Sequence, residues 1–105
     1  MTKKELKESR YYITIDAKDL KDGMKIIDED DCDDPKSEIH VLTVSNIRVS
    51  DEKITFRAVG IGKRDYTYEL FREPEEPMIS VYFSSVEEGL YFGFPLNYIK
   101  KYERR

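Results

Sequence analysis

Apolar and polar residues alternate in strand-length runs through the middle of the chain, from Ile39 to Phe83. Four runs stand in this stretch, and they are rich in β-branched and aromatic residues, which pack well on a pleated surface. Turns that contain charged residues, glycine or proline separate the runs. Because strands that follow each other in sequence usually lie side by side, the pattern predicts a four-stranded antiparallel meander around which the rest of the chain is arranged.

The predicted strands of this meander are Ile39–Val49, Ile54–Gly60, Tyr66–Arg72 and Met78–Phe83. Successive side chains of a strand point to opposite faces, so Phe56 is predicted to face the core and Arg57 the solvent. In the first strand, the face that begins with Leu42 becomes polar by Arg48. This change predicts that the strand leaves the core partway along.

Shorter elements are predicted on both sides of the meander. Two strands precede it and two aromatic strands follow it: Tyr11–Asp16, Met24–Ile27, Leu90–Phe94 and Tyr98–Tyr102. Ser85 can cap one helical turn that ends at Gly89, and Pro95–Asn97 predicts a 3₁₀ turn. Residues 1–10 are polar and predict a flexible or helical tail ahead of a single β domain of residues 11–103.

The composition limits the class of protein. A length of 105 residues predicts one domain, and 22 acidic against 18 basic residues give a net charge of −4, which argues against a protein that coats DNA. The single cysteine cannot form an internal disulfide, and no apolar signal segment stands at the N-terminus, so a cytoplasmic location is predicted. No apolar run is long enough to span a membrane, so no membrane partner is expected.

Residues 28–38 form the most unusual stretch, with seven acids and one base. Like charges at this density repel each other, so the stretch predicts a solvated loop. Six of its acids are predicted to contact a basic surface of a protein partner: Asp28, Glu29, Asp30, Asp31, Asp33 and Asp34. A helix–loop–helix calcium motif does not fit, because its sixth position is Asp33 instead of glycine and its twelfth is Ile39 instead of glutamate.

The residue pattern predicts no catalysis, metal or cofactor. His40 is the only histidine, and together with Cys32 it makes two ligands where structural zinc needs four. The acids around Cys32 disfavour its thiolate, which makes it a poor nucleophile. The run Gly60-Ile61-Gly62-Lys63 is too short for a phosphate-binding loop and lies between two predicted strands. A protein that is not an enzyme is therefore predicted.

Aromatic residues crowd the C-terminal segment. The chain has eight tyrosines and five phenylalanines but no tryptophan. Five rings stand between positions 91 and 102, at Tyr91, Phe92, Phe94, Tyr98 and Tyr102. A domain of this size cannot bury them all, so an exposed aromatic patch is predicted, with closure of the open end of a barrel as the alternative.

The run Phe94-Pro95-Leu96-Asn97-Tyr98-Ile99-Lys100 resembles the closing motif of SH3 domains, in which a 3₁₀ turn leads into the last strand. Leu20–Ile27 is similar to the end of that family's long first loop. The resemblance implies an SH3-like barrel in which Pro95, Asn97 and Tyr98 would line a groove for proline-rich peptides. The paired tryptophans and the opening Ala-Leu-Tyr-Asp-Tyr run of the family are absent.

These patterns predict an all-β fold, in which a small antiparallel meander closes into an SH3-like barrel or forms a compact sheet, with a short helical turn. The predicted function is a non-enzymatic protein-binding module of an adaptor, inhibitor or immunity type. It would use the acidic loop and the C-terminal aromatic patch, with contacts at Tyr91, Pro95, Asn97 and Tyr98.

Two alternatives to this function stay open. A nucleic-acid-binding barrel would combine stacking tyrosines with a local basic face. The residues of that face would be Arg57, Lys63, Arg64, Arg72, Lys100 and Lys101. In the other alternative, the protein is a structural subunit whose exposed sheet edge and aromatic residues are buried against neighbours in an assembly.

Overall fold

The computed structural model describes residues 11–29 and 39–102, and the strands of this part form one antiparallel sheet. They are β1 (Tyr11–Asp16), β2 (Lys25–Glu29), β3 (Ile39–Val49), β4 (Lys53–Val59), β5 (Asp65–Phe71), β6 (Met78–Phe83) and β7 (Lys100–Lys101). Their order across the sheet is β5-β4-β3-β2-β6-β1-β7, so the sheet is open, with β5 and β7 at its edges. The predicted all-β class is confirmed, in the form of the compact sheet.

Strands β2 to β5 follow each other across the sheet as a meander. The predicted fourth strand of the meander is present as β6, but its predicted place beside β5 is wrong. β6 instead pairs with β1 along its whole length and meets β2 at the single pair Lys25–Tyr82. The segment between β5 and β6 carries Pro74 and Pro77, which lack the N–H group that a hairpin ladder needs.

A β-bulge explains why the inward face of β3 changes along the strand. Leu42 and Val44 are fully buried, but the register against β4 shifts between Ser45 and Arg48. Within the bulge, Asn46 has a φ of +53°, a left-handed conformation that asparagine tolerates better than most residues. Beyond it, Ile47 packs against the core, so the buried side switches from even to odd positions. The strand thus keeps one apolar contact instead of leaving the core at once.

One apolar core lies against the inner face of the sheet. Alternation places its members as predicted along β1, β4 and β6. The buried residues are Ile13, Ile15, Ala17, Leu20, Met24, Ile26, Leu42, Val44, Ile54, Phe56, Ala58, Val81 and Phe83. Burying one of the larger side chains, from valine to phenylalanine, removes apolar surface from water and stabilises the fold by about 1.5–3 kcal/mol.

A short helix, α1 (Val86–Tyr91), follows β6. The predicted cap is confirmed, because Ser85 Oγ accepts a hydrogen bond from the Glu88 N–H at 3.3 Å. The predicted end at Gly89 is wrong, since the helix continues to Tyr91. A Cβ at Gly89 would lie 2.6 Å from Ile99 Cδ1, so this glycine is where the closing segment approaches the helix.

The C-terminal segment is less extended than predicted. The predicted strand Leu90–Phe94 is wrong: its first residues belong to α1, and Gly93, with a φ of +91°, ends the helix. The predicted 3₁₀ turn is confirmed one residue later, at Leu96–Tyr98. Only Lys100–Lys101 of the predicted last strand pairs with the sheet, against β1. Within the described residues, no helix is long and apolar enough to cross a membrane.

Candidate functional site

The sheet has a cleft where β2 and β6 separate. The two strands are paired at Lys25 and Tyr82, and the antiparallel direction would continue the ladder from there toward Asp28 and Ile79. That continuation is not made among the described residues, whereas β6 stays paired with β1 down to Met78. The two strands therefore diverge and leave a cleft of about 350 Å³ between them.

Three strands contribute to the walls of this cleft. β2 and β6 form its sides and Tyr68 of β5 reaches it from across the curved sheet. The lining residues are Ile26, Ile27, Asp28, Tyr68, Ile79, Ser80 and Tyr82. The volume lies at the small end of ligand-binding pockets, which are roughly 300–1,000 Å³, and suits one long side chain or a small molecule.

Packing on both sides holds the two tyrosines of the cleft. The Tyr68 ring stacks on Phe56 of β4 with the ring centroids 5.0 Å apart and an interplanar angle of 13°. Tyr82 lies 5.8 Å from Tyr12 and 5.5 Å from Tyr102, again between ring centroids. Because these rings are fixed by neighbours, the cleft is formed before any ligand enters.

The cleft carries a negative charge beside a neutral phenol. Burial raises the pKa of the Tyr68 hydroxyl above its ordinary range, and the carboxylate of Asp28 and the Tyr66 phenol raise it further. The Tyr68 hydroxyl therefore keeps its proton well into the alkaline range, and Asp28 is the one charged residue among the described residues of the lining. This combination favours a cation over an anion in the cleft.

A polar contact stands near Asp28 at the same end of the sheet. His40 is the neighbour of Asp28 in the register of β2 and β3. Its Nε2 lies 2.8 Å from Nη2 of Arg64, and because a guanidinium only donates, His40 Nε2 accepts this hydrogen bond. His40 therefore has a structural partner, and in the described part of the chain no three His, Cys, Asp or Glu side chains cluster as a metal site would require.

The structure divides the six predicted acidic contact residues. Asp28 and Glu29 belong to β2, paired with His40 and Ile39, so their prediction as part of a loop is wrong. The backbone ladder of β2 and β3 extends this far because Ile39, His40 and Val41 favour an extended chain. The other predicted contacts, Asp30, Asp31, Asp33 and Asp34, lie outside the described residues, as does Cys32.

The predicted C-terminal contact residues lie together at another place in the fold. Pro95, Asn97 and Tyr98 are exposed around the 3₁₀ turn, and Tyr91 is 85% exposed at the end of α1, which packs against that turn. Leu90 and Leu96 add exposed apolar surface. We call this surface, made of Leu90, Tyr91, Leu96 and Tyr98, the C-terminal patch. Phe92 and Phe94 are not part of it, because both pack against the core near Phe83.

The cleft and the C-terminal patch are made of different residues. Ile79 and Ser80 near the start of the strand line the cleft, whereas α1 follows its last residue, Phe83. Asp28 and the predicted aromatic contact residues therefore belong to two separate surfaces.

Two arginines of the predicted basic face are already engaged. Arg57 Nε donates to Asp65 Oδ1 at 2.8 Å, and Arg72 Nε donates to Glu76 Oε1 at 2.8 Å. These hydrogen bonds raise the pKa of both arginines and lower the pKa of Asp65 and Glu76. Both of these arginines therefore already have carboxylate partners.

Sequence reasoning did not single out Tyr68 or Tyr82 as site residues. Tyr68 carried a signal, because alternation places it on the same face of its strand as Tyr66 and Leu70, and a phenol that is partly buried needs a polar environment. Tyr82 carried none, since it reaches the cleft only because β6 pairs with β1 and parts from β2.

No protein-family model matches the chain, and neither a curated protein nor a solved structure is significantly similar to it. The function is therefore interpreted from the chemistry of the cleft and of the surfaces around it.

Proposed function

We propose that the protein is a small non-enzymatic binding module that takes up a lysine or arginine side chain of a protein partner in the cleft between β2 and β6. The observation that supports this best is the place of Asp28 beside Tyr68 in a cleft whose other walls are largely isoleucine and tyrosine. A long basic side chain matches both parts, because its methylene stem is apolar and its head is a cation.

Each contact in the cleft has a defined role in this proposal. Ile27 and Ile79 pack against the stem of the side chain, and Asp28 pairs with its head. The Tyr82 ring adds a face that attracts cations, which is worth about 0.5–1 kcal/mol at an exposed site and more when water is excluded. The low-dielectric walls strengthen the charge pairing relative to a pair on the open surface.

The charge of the whole chain supports a basic partner. The net charge is −4, and seven of the 22 acidic residues stand at positions 28–38 of the sequence, which gives the chain a negative field. Such a field accelerates the encounter with a positively charged protein and weakens as salt is added. The single cysteine and the lack of a catalytic residue set in the sequence agree with a cytoplasmic protein that acts by binding.

The C-terminal patch is a second contact surface in this proposal. Tyr91 and Tyr98 are 85% and 60% exposed, and large apolar side chains at this exposure are characteristic of protein contacts when they lie together. The SH3-like groove at Pro95, Asn97 and Tyr98 stays a prediction of the resemblance. The patch lies apart from the cleft, so its contribution can be removed without touching Asp28.

A random peptide library tests the proposal without knowledge of the natural partner. Decapeptides displayed on phage are selected against the immobilised protein at low salt, and the selected sequences are synthesised for titration. We expect lysine and arginine to be enriched. The expected affinity falls roughly tenfold in the Asp28→Asn variant, which keeps the shape of the cleft and removes its charge.

The matched control is Asp22→Asn, because Asp22 is an exposed acid beyond the opposite end of β2. It removes the same unit of net charge but leaves the cleft intact, so it should change the affinity less than threefold. Equal losses of affinity in the two variants would mean that the peptide responds to the net charge of the protein and not to the cleft. Selected peptides without basic residues, or none at all, would contradict the proposed function.

A further inference from the structure

The outer edge of β5 offers backbone groups that no described strand pairs. β5 has one neighbour, β4, in the part of the chain the structure covers. The Arg72 N–H donates to Glu52 O at 2.9 Å, and the Gly60 N–H donates to Arg64 O at 2.9 Å. On the β5 side, both bonds use an even-numbered residue, because Arg72 donates and Arg64 accepts. The backbone groups of successive residues in an antiparallel strand point alternately to its two sides.

The alternation assigns the direction of every backbone group on β5. Even-numbered residues turn their N–H and C=O toward β4, in the register Phe56–Tyr68. Odd-numbered residues turn theirs away from the sheet. The outward-facing donors and acceptors are those of Asp65, Thr67, Glu69 and Phe71, a row long enough for a ladder with another extended chain.

Charged side chains on the solvent-facing side of β4 and β5 indicate which kind of chain can pair with the β5 edge. Arg57 and Lys53 of β4 pair with Asp65 and Glu69 of β5, with Lys53 Nζ 3.5 Å from Glu69 Oε1. On the solvent-facing side of the sheet, β4 thus carries cations and the edge strand β5 carries acids. An added strand would continue this alternation if its solvent-facing side chains were basic, because unlike charges on neighbouring strands stabilise a sheet and like charges destabilise it.

We infer that the basic segment of the partner binds in an extended conformation as an eighth strand along the outer edge of β5. The inference rests on the proposed function and adds the mode of binding. The added strand lies about 4.8 Å from β5, beside Tyr68, whose ring forms part of the cleft. A second copy of this chain fits the edge less well, because the added row would again be the acids Asp65 and Glu69.

Alternate N-methylation of a selected basic peptide tests this mode. Two versions carry the same number of methyl groups, one on the odd and one on the even amides. Only one set of amides faces β5 in a strand ladder, so one version is expected to lose at least tenfold in affinity and the other less than threefold. The equal methyl count controls for the general effect of methylation on the peptide.

Hydrogen exchange of the protein gives an independent readout. The amides of Thr67 and Glu69 face outward, so their exchange should slow at least tenfold when the unmodified peptide is bound. Peptides that bind with equal sensitivity to both methylation patterns, and without protection of these amides, would overturn strand addition and leave the cleft proposal standing. A library that yields no basic binders removes the proposed function and this inference together.

The oligomeric state tests the other possible occupant of the β5 edge, a second copy of this chain. Sedimentation of the peptide-free protein is expected to show a monomer over a wide range of concentration. Protection of Thr67 and Glu69 that appears with a dimer, before any peptide is added, would overturn the inference by placing a second copy of the chain on β5.

Discussion

The two halves of the sheet are held together in different ways. The first half, β5-β4-β3-β2, is a meander in which each strand pairs with the next over several residues. The second half consists of β6, β1 and β7 with α1 and the C-terminal segment. The halves share one core, but their backbone ladders meet at a single pair, Lys25–Tyr82.

This difference explains where a binding site can form. In the meander, continuous backbone pairing leaves no gap between neighbouring strands. At the join, pairing stops while the core continues, so Tyr68 and Asp28 are held in place beside an opening. A rigid surrounding with one incomplete ladder gives a cleft that is formed in advance, which limits the ordering cost of binding.

The largest expected loss of stability comes from a core substitution in the meander half. Phe56 is 1% exposed and stacks on Tyr68, so Phe56→Ala should lower the free energy of unfolding by about 3–5 kcal/mol. Tyr82→Ala at the join should cost about 1–2 kcal/mol, because it removes aromatic pairs at a half-buried position. Urea unfolding measures both. Equal costs would show that the join is as tightly packed as the meander.

A smaller effect is expected from crowding the second half. The Cβ in Gly89→Ala meets Ile99 Cδ1 at 2.6 Å and Phe83 Cδ2 at 3.3 Å, so we expect a cost of about 1–3 kcal/mol. Hydrogen exchange should show faster exchange in α1 and β7 and little change in β4. Uniformly faster exchange across β4 as well would mean that the two halves unfold as one unit.

The cap of α1 tests the same half without altering the core. Ser85→Ala removes the acceptor of the Glu88 N–H and should cost about 1 kcal/mol, whereas Ser85→Thr or Ser85→Asp should keep most of the stability. The comparison is made by thermal unfolding of the three variants. An alanine variant as stable as the threonine variant would show that the side-chain cap contributes nothing here.

The smallest effect on stability, and the most specific one, concerns the join. Asp28→Asn removes one of the causes that raise the pKa of Tyr68, so this pKa should fall toward its ordinary value of about 10 while burial still holds it higher. Absorbance or NMR titration measures it. Asp22→Asn is the control and should leave the Tyr68 pKa in place.

The same pKa predicts how stability depends on pH. Because folding raises the pKa of Tyr68, the folded protein holds this proton more tightly than the unfolded chain does. The resulting stabilisation is complete below the ordinary pKa of about 10 and is lost as pH rises through the folded value. Tyr68→Phe should remove this part of the alkaline loss, and an unchanged pH profile in that variant would contradict the assignment.

Local patterns predicted most of the elements. Alternation gave the bounds of β1 and β6 and the inward residues of β4, because these depend only on neighbouring positions. The strand predicted at Leu90–Phe94 was wrong for a local reason. Aromatic residues favour strands, but the cap at Ser85 and the glycine at position 93 define a helix and its end.

The join and the cleft could not be predicted from local patterns. Which strand lies beside β6 depends on pairing between distant residues, such as Ile13 with Val81, and alternation is equally satisfied by other neighbours. Asp28 was predicted as a site residue from charge alone. Its place in one cleft with Tyr68 depends on the divergence of β2 and β6, which has no sequence signature of its own.

The most direct test of the central claim is an NMR titration of the labelled protein with a selected basic decapeptide, followed through its backbone amides. We predict shift changes at the cleft residues Ile27, Asp28, Ser80 and Tyr82 as well as along the β5 edge, and we expect the cleft changes to be weakened in Asp28→Asn but not in Asp22→Asn. Changes confined to the C-terminal patch around Leu96 and Tyr98, with the cleft unaffected, would contradict the account.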